Sequence, residues 1–265
     1  MSRFPALILL LALAAGAETN AALPLVFNFH GYGGTGQNQE ELSGMRPVAD
    51  RLGFAVVYPD GIDKHWRYGL SEIDDVAFVD AIVDSLTALG QVDRSRVYAT
   101  GLSDGGFFSV FLGCQAKTRM AAIAPVAASM TGLQAIGCGA APRIPVMMTF
   151  GTADPIVPFG GNPTGMGRLL SVPDTIDFWT RHLGVSSAPT SDEWLPDTDA
   201  ADKSRVHLLQ YGDGVLQLYE IDGGGHTWPG GLQYAPVWAV GPTNRDYNAS
   251  EAILNFFAAS PNGSS

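Results

Sequence analysis

From residue 24 onward, short β-rich runs alternate with helical patterns, and that alternation constrains the fold more than any other feature of the chain. Repeated strand-helix-strand units build a largely parallel sheet with helices on both faces, an α/β architecture. Leu25-Val26-Phe27-Asn28-Phe29 reads as the first strand. Leu42, Met45, Val48 and Leu52 then recur at helical spacing until Gly53 ends that helix, and Phe54 to Tyr58 forms the next strand, closed by Pro59-Asp60-Gly61.

The same pattern continues downstream. Ser71 followed three residues later by Asp74 resembles a capping box ahead of the apolar stripe Val76, Val79, Val83 and Leu86. Arg96 to Thr100 reads as a strand, Phe107 to Gln115 as a helix, and Ala121 to Val126 and Pro145 to Phe150 as strands. Pro173 opens a helix that runs through Leu183. Residues 185–204, rich in Ser, Pro, Asp and Ala, read as a long connection to strands at 205–211 and 215–221. A last helix starts near Asn248, with Glu251 three residues on, and reaches about Ala258.

Composition narrows what such a sheet can serve. The 265 residues are 46% hydrophobic and 15% charged, enough apolar material for a substantial core. A net charge of −11 repels a polyanion, which excludes nucleic acid as a primary ligand. The 32 glycines and 17 prolines have no collagen period and no low-complexity tract, so they mark turns and close backbone approaches. Arg3, the apolar run Ala6 to Ala15 and the small residues Ala15-Gly16-Ala17 read as a signal peptide cleaved after Ala17. That run is too short to span a bilayer, so the expectation is an exported monomer that does not bind membranes, with residues 18–265 as one domain. In an oxidising compartment the only two cysteines, Cys114 and Cys138, are expected to pair.

Gly101-Leu102-Ser103-Asp104-Gly105 is a G-x-S-x-G motif, in which small flanking residues let a serine sit on a tight turn with its oxygen exposed. Composition alone supplies about 0.24 such matches per chain, so the motif gains weight only from its context: a strand before it and a helix after it. A serine hydroxyl becomes a nucleophile when a histidine takes its proton and a carboxylate orients that histidine, here in the chain order Ser, acid, His. His30 and His65 precede the serine, His182 falls near a helix end and His207 within a strand pattern. His226 remains, in the loop Gly223-Gly224-Gly225-His226-Thr227-Trp228 just beyond a strand. Asp154 follows the Pro145–Phe150 strand directly, whereas Asp174 and Asp177 suit a helix start.

An oxyanion formed at Ser103 needs two backbone donors. The Asp104 amide supplies one, and the His30-Gly31-Tyr32-Gly33-Gly34 loop the other, from Tyr32 or alternatively Gly33. Trp66 and Trp228, with Tyr68 and Trp238, are candidates to line an aromatic substrate cleft. The histidines lack metal-ligand spacing, the cysteines form no CxxC pair and there is no nucleotide loop, so neither metal nor cofactor is expected.

The blocks LPLVFNFHGYGGTG, DDVAFVDAIVDSL, RVYATGLSDGG, GTADPIVP and GGGHTWPG together resemble the polyhydroxybutyrate depolymerase and feruloyl esterase group of α/β-hydrolases over nearly the whole exported chain. The resemblance implies a secreted serine esterase with Ser103 as nucleophile, Asp154 as acid and His226 as base. Its substrates would be hydroxyalkanoate oligomers, hydroxycinnamate esters or acetyl esters, soluble rather than crystalline. Asp104 stands where the group commonly has Asn, and Tyr32 where it has a small residue or Cys; neither change removes an amide, and the Asp104 carboxylate is expected to cap the following helix. A peptidase or acyltransferase would share the triad and differ in leaving group or acceptor, while a carbohydrate-binding protein on this scaffold would need a broken triad.

Overall fold

The computed structural model describes residues 21–68, 73–115, 120–162 and 168–260. The proposed signal peptide, residues 1–17, lies outside them, as does Ser71. Along the chain come β1 (Leu23–Phe29), α1 (Gly36–Ser43), α2 (Met45–Leu52), β2 (Ala55–Val57), α3 (Asp75–Ala88), β3 (Val92–Leu102) and α4 (Asp104–Gly113). There follow β4 (Ala122–Val126), α5 (Gly132–Gly137), β5 (Val146–Gly151), α6 (Val172–Leu183), β6 (Ser191–Trp194), β7 (Arg205–Tyr211), β8 (Leu216–Asp222), α7 (Val237–Val240) and α8 (Ala249–Ala259).

The eight strands form one sheet in the order β2-β1-β3-β4-β5-β8-β7-β6. Pairings from β2 across to β8 are parallel, and β8-β7-β6 closes that edge as an antiparallel meander. This is the α/β architecture expected from the alternation of elements, in the α/β-hydrolase arrangement that the resemblance implies. Side-chain alternation sends Leu25, Phe27 and Phe29 of β1 to one face, against α3, α4 and α6, and Val26 to the other, against α1, α2 and α8. Each face thus has its own apolar core. Because parallel strands run the same way, β3, β5 and β8 deliver the segments after them to one edge of the sheet, where the site lies. No helix among the described residues is long and apolar enough to cross a membrane.

Four local expectations change. The helix expected to run unbroken to Gly53 is split at Gly44, whose left-handed φ of 56° ends α1 and starts α2. Asp74 is the N-cap of α3, accepting from the Ala77 N–H, because a carboxylate at that position reaches the orphan amides itself. Helix α4 begins at Asp104, three residues earlier than its apolar pattern suggests, since Gly105 and Gly106 are helical here. The 185–204 connection contains β6, an exposed edge strand whose polar sequence Ser-Asp-Glu-Trp has no apolar alternation to betray it.

Candidate active site

Ser103 links β3 to α4 at φ 57°, ψ −117°, a backbone region that non-glycine residues occupy only when their surroundings hold them there. Two bonds do so: the Ser103 N–H donates to the Val126 carbonyl (2.9 Å) and the Phe107 N–H donates to the Ser103 carbonyl (2.8 Å). The flanking glycines are required by contact. A Cβ on Gly105 would lie 2.2 Å from the Phe29 carbonyl oxygen, and one on Gly101 would lie 2.6 Å from it. The sharp turn leaves the Ser103 side chain partly exposed while its neighbours on both sides are buried.

Asp154 and His226 meet at the ends of β5 and β8. His226 Nδ1 lies 2.7 Å from Asp154 Oδ2, with both side chains buried. Asp154 Oδ1 accepts from the Ile156 and Val157 amides, each at 2.8 Å, so its carboxylate is fixed by backbone before it touches the imidazole. The Gly223–Gly225 run allows the histidine loop to press onto its neighbours: a Cβ on Gly225 would lie 2.2 Å from the Val240 carbonyl oxygen, and one on Gly151 2.3 Å from the Gly224 carbonyl oxygen. Tyr234 O–H donates to the His226 carbonyl (3.0 Å). Burial and the nearby Asp154 charge push the Tyr234 hydroxyl up to about 12, so it remains a donor. Tyr234 escapes sequence reasoning because neither spacing nor pattern ties it to the histidine loop.

The His30–Gly34 loop lies against the nucleophile turn; a Cβ on Gly31 would come within 3.6 Å of Ser103 Cβ. Within it the Gly33 N–H is committed to the Lys64 carbonyl (2.8 Å) and the Gly34 N–H to the Gly31 carbonyl (3.0 Å). Among the described residues no backbone carbonyl takes the Tyr32 or Asp104 N–H, which favours Tyr32 over Gly33 as the loop's available donor. Burial lowers the His30 pKa, and the neutral ring bridges the loop to the 59–61 turn: Nε2 accepts from the Gly61 N–H (3.0 Å) while Nδ1 faces the Gly31 carbonyl (2.8 Å).

Three expectations about side chains are corrected. The Asp104 carboxylate does not cap α4, where no side-chain cap bond forms. It turns instead to the 65–68 segment, accepting from the Trp66 N–H (2.9 Å) and Tyr68 O–H (3.1 Å) and pairing with His65 Nδ1 (2.8 Å). Trp66 and Trp228 line no cleft, because both are fully buried. Trp66 stacks on Phe108 and donates Nε1–H to the His30 carbonyl, and Trp228 donates to Ser250 Oγ. Trp238 is 86% exposed, and Tyr68 lines the cleft between α4 and α5. Cys114 and Cys138 form a disulfide. Among the described residues no group of three or more His, Cys, Asp or Glu side chains is placed to hold a metal ion.

Residues 7–158 match the family described as Esterase PHB depolymerase. The chain is 30% identical over 254 residues to "Putative esterase NocK" of Nocardia uniformis subsp. tsuyamanensis, covering 88% of this chain and 73% of that protein. It is 26% identical over 226 residues to feruloyl esterase B of Piromyces equi, covering 80% of this chain but spanning only 41% of that relative's length. The solved acetyl xylan esterase from Aspergillus awamori superposes with a TM-score of 0.63 over 89% of each chain at 15% identity, a likeness of fold. With more than half of its length matched, the chain belongs to the Esterase PHB depolymerase family of carboxylic ester hydrolases.

Proposed function

We propose that the protein is an exported serine esterase in which Ser103, His226 and Asp154 act as nucleophile, general base and orienting acid. The observation that carries the proposal is the buried His226–Asp154 pair at 2.7 Å, on the same sheet edge as a serine held at positive φ. His226 takes the Ser103 proton as the oxygen attacks the ester carbonyl. The carbonyl oxygen, now negative, is received by the Tyr32 and Asp104 N–H groups. His226 returns the proton to the departing alcohol, and water then adds across the acyl-serine bond by the same steps in reverse, releasing the acid. Asp154, with two amides already on Oδ1, holds the imidazole with Nδ1 toward itself and Nε2 free for the serine.

The names of the relatives direct the choice of substrates to hydroxyalkanoate oligomers, hydroxycinnamate esters and acetyl esters. Export by a leader cleaved after Ala17 is consistent with the disulfide, and mass spectrometry of the secreted protein should then give Glu18 as its first residue. Ser103→Ala should lower kcat/KM for p-nitrophenyl butyrate at least about ten-thousand-fold and abolish labelling by a fluorophosphonate. Wild-type turnover in that variant would refute the assignment.

A further inference from the structure

A cleft of about 780 Å³ opens between α4 and α5 beside the nucleophile turn. Its aromatic wall is Tyr68, Phe107 and Phe111, and its aliphatic wall is Leu133 and Ile136 of α5, 79% and 80% exposed. Such apolar exposure is costly unless something covers it in use. The walls are fastened to each other. Gln134 Nε2 donates to the Phe107 carbonyl (2.8 Å), the Thr131–Gln134 capping box sets the start of α5, and the Cys114–Cys138 disulfide ties the far ends of the two helices. The cleft is therefore formed before any ligand arrives.

It borders the start of the helix that follows the nucleophile turn. Phe107 donates its amide to the Ser103 carbonyl, and the Tyr68 hydroxyl is bonded to Asp104. At the cleft's edge stands Arg168, whose carbonyl accepts from the Gly132 N–H (3.0 Å) and whose stem lies over Gly132, where a Cβ would be 3.7 Å from Arg168 Cδ. Among the described residues no lining residue is acidic and no carboxylate pairs with this guanidinium. In a chain of net charge −11, an unpaired arginine over an apolar cleft is a local reversal of sign.

We infer that this cleft binds the apolar body of an ester whose far end is a carboxylate, with Arg168 taking that carboxylate. Dicarboxylic half-esters and short oligoesters with a free acid end have this chemistry. The inference rests on the esterase assignment and names its substrate class. The aliphatic or aromatic body displaces water from the Tyr68–Phe111 wall, and the planar guanidinium pairs with both carboxylate oxygens. A neutral ester of equal length gains only the first of these.

The test compares p-nitrophenyl half-esters of succinic, adipic and suberic acids with the neutral butyrate, hexanoate and octanoate esters. The wild type should favour at least one half-ester over its neutral counterpart, and added salt should narrow the preference. Arg168→Gln should lower kcat/KM for the favoured half-ester about tenfold, equivalent to about 1.4 kcal/mol, and leave the neutral esters within about twofold. Arg168→Glu should reverse the preference. Equal effects on charged and neutral esters, or none on either, would overturn the inference while leaving the esterase assignment standing. That assignment fails separately, if Ser103→Ala still turns over the neutral esters.

Discussion

The carboxylate of Asp104 sits one residue from the serine at which the ester's carbonyl oxygen is proposed to turn negative, and it is buried. An anion there would oppose the oxyanion if it faced the ester. Its engagement by the Trp66 amide, the Tyr68 hydroxyl and His65 points it into the 65–68 segment and disperses its charge. Burial and the Asp104 charge hold the Tyr68 pKa well above the ordinary tyrosine value, so that hydroxyl keeps donating. Asp104 is then a positioning residue as well as an amide donor. Asp104→Asn keeps the shape and an accepting oxygen, and kcat should stay within about threefold of wild type. Asp104→Ala removes the anchor, and kcat should fall about tenfold or more with KM changed far less, because the misplaced amide serves the transition state rather than the bound ester. Steady-state kinetics on p-nitrophenyl butyrate distinguish the two, and equal kcat in both variants would contradict this role. The pairing of Asp154 with His226 and the sharp turn at Ser103 were legible because chain order and strand ends restrict where such residues fall; the turn of Asp104 toward His65 was not, since 39 residues separate the partners and no periodicity links them.

At the scale of elements, α4 can follow β3 so closely only because Gly105 has no side chain. The Phe29 carbonyl of β1 occupies the place a Cβ would take, and backbone cannot swing aside as a flexible side chain could. Gly105→Ala should therefore destabilise the fold by at least about 3 kcal/mol and abolish activity through displacement of Ser103. Gly139→Ala is the matched control, with nothing within 4 Å of its added Cβ, and should stay within about 1 kcal/mol of wild type. Urea unfolding measures both, and equal costs would show that close packing at the elbow does not matter. The same physics explains which elements sequence alone exposes. Strands buried on both faces, such as β4 and β5, show as apolar runs. The exposed edge strand β6 and the six-residue helix α5 bury too little to leave a pattern, and the break at Gly44 depends on backbone conformation that side-chain spacing does not report.

Over the whole molecule, tyrosines tie stability to alkaline pH. Of the eight in the chain, seven (Tyr58, Tyr68, Tyr98, Tyr211, Tyr219, Tyr234 and Tyr247) have pKa values raised in the folded state, in each case chiefly by burial. They are spread through both cores and the site: Tyr98 stacks on Phe257, Tyr219 on Tyr247, and Tyr68 and Tyr234 brace the nucleophile and histidine segments. An unfolded tyrosine ionises near pH 10, while the folded ones still hold their protons there. The folded state consequently binds more protons than the unfolded one above that pH, and its stability falls as pH rises. Below pH 10 these groups contribute in full, and each contribution is lost as pH climbs through the folded pKa, about 12 for Tyr234. Because seven groups act together, the loss should be cooperative. Phenolate absorbance and far-ultraviolet circular dichroism followed from pH 9 upward should change in one common transition, and the midpoint of thermal unfolding should drop steeply beyond about pH 10. Independent titration of the tyrosines at ordinary values, with the circular dichroism unchanged, would mean that burial does not hold these hydroxyls protonated and that the two cores are far looser than their packing implies.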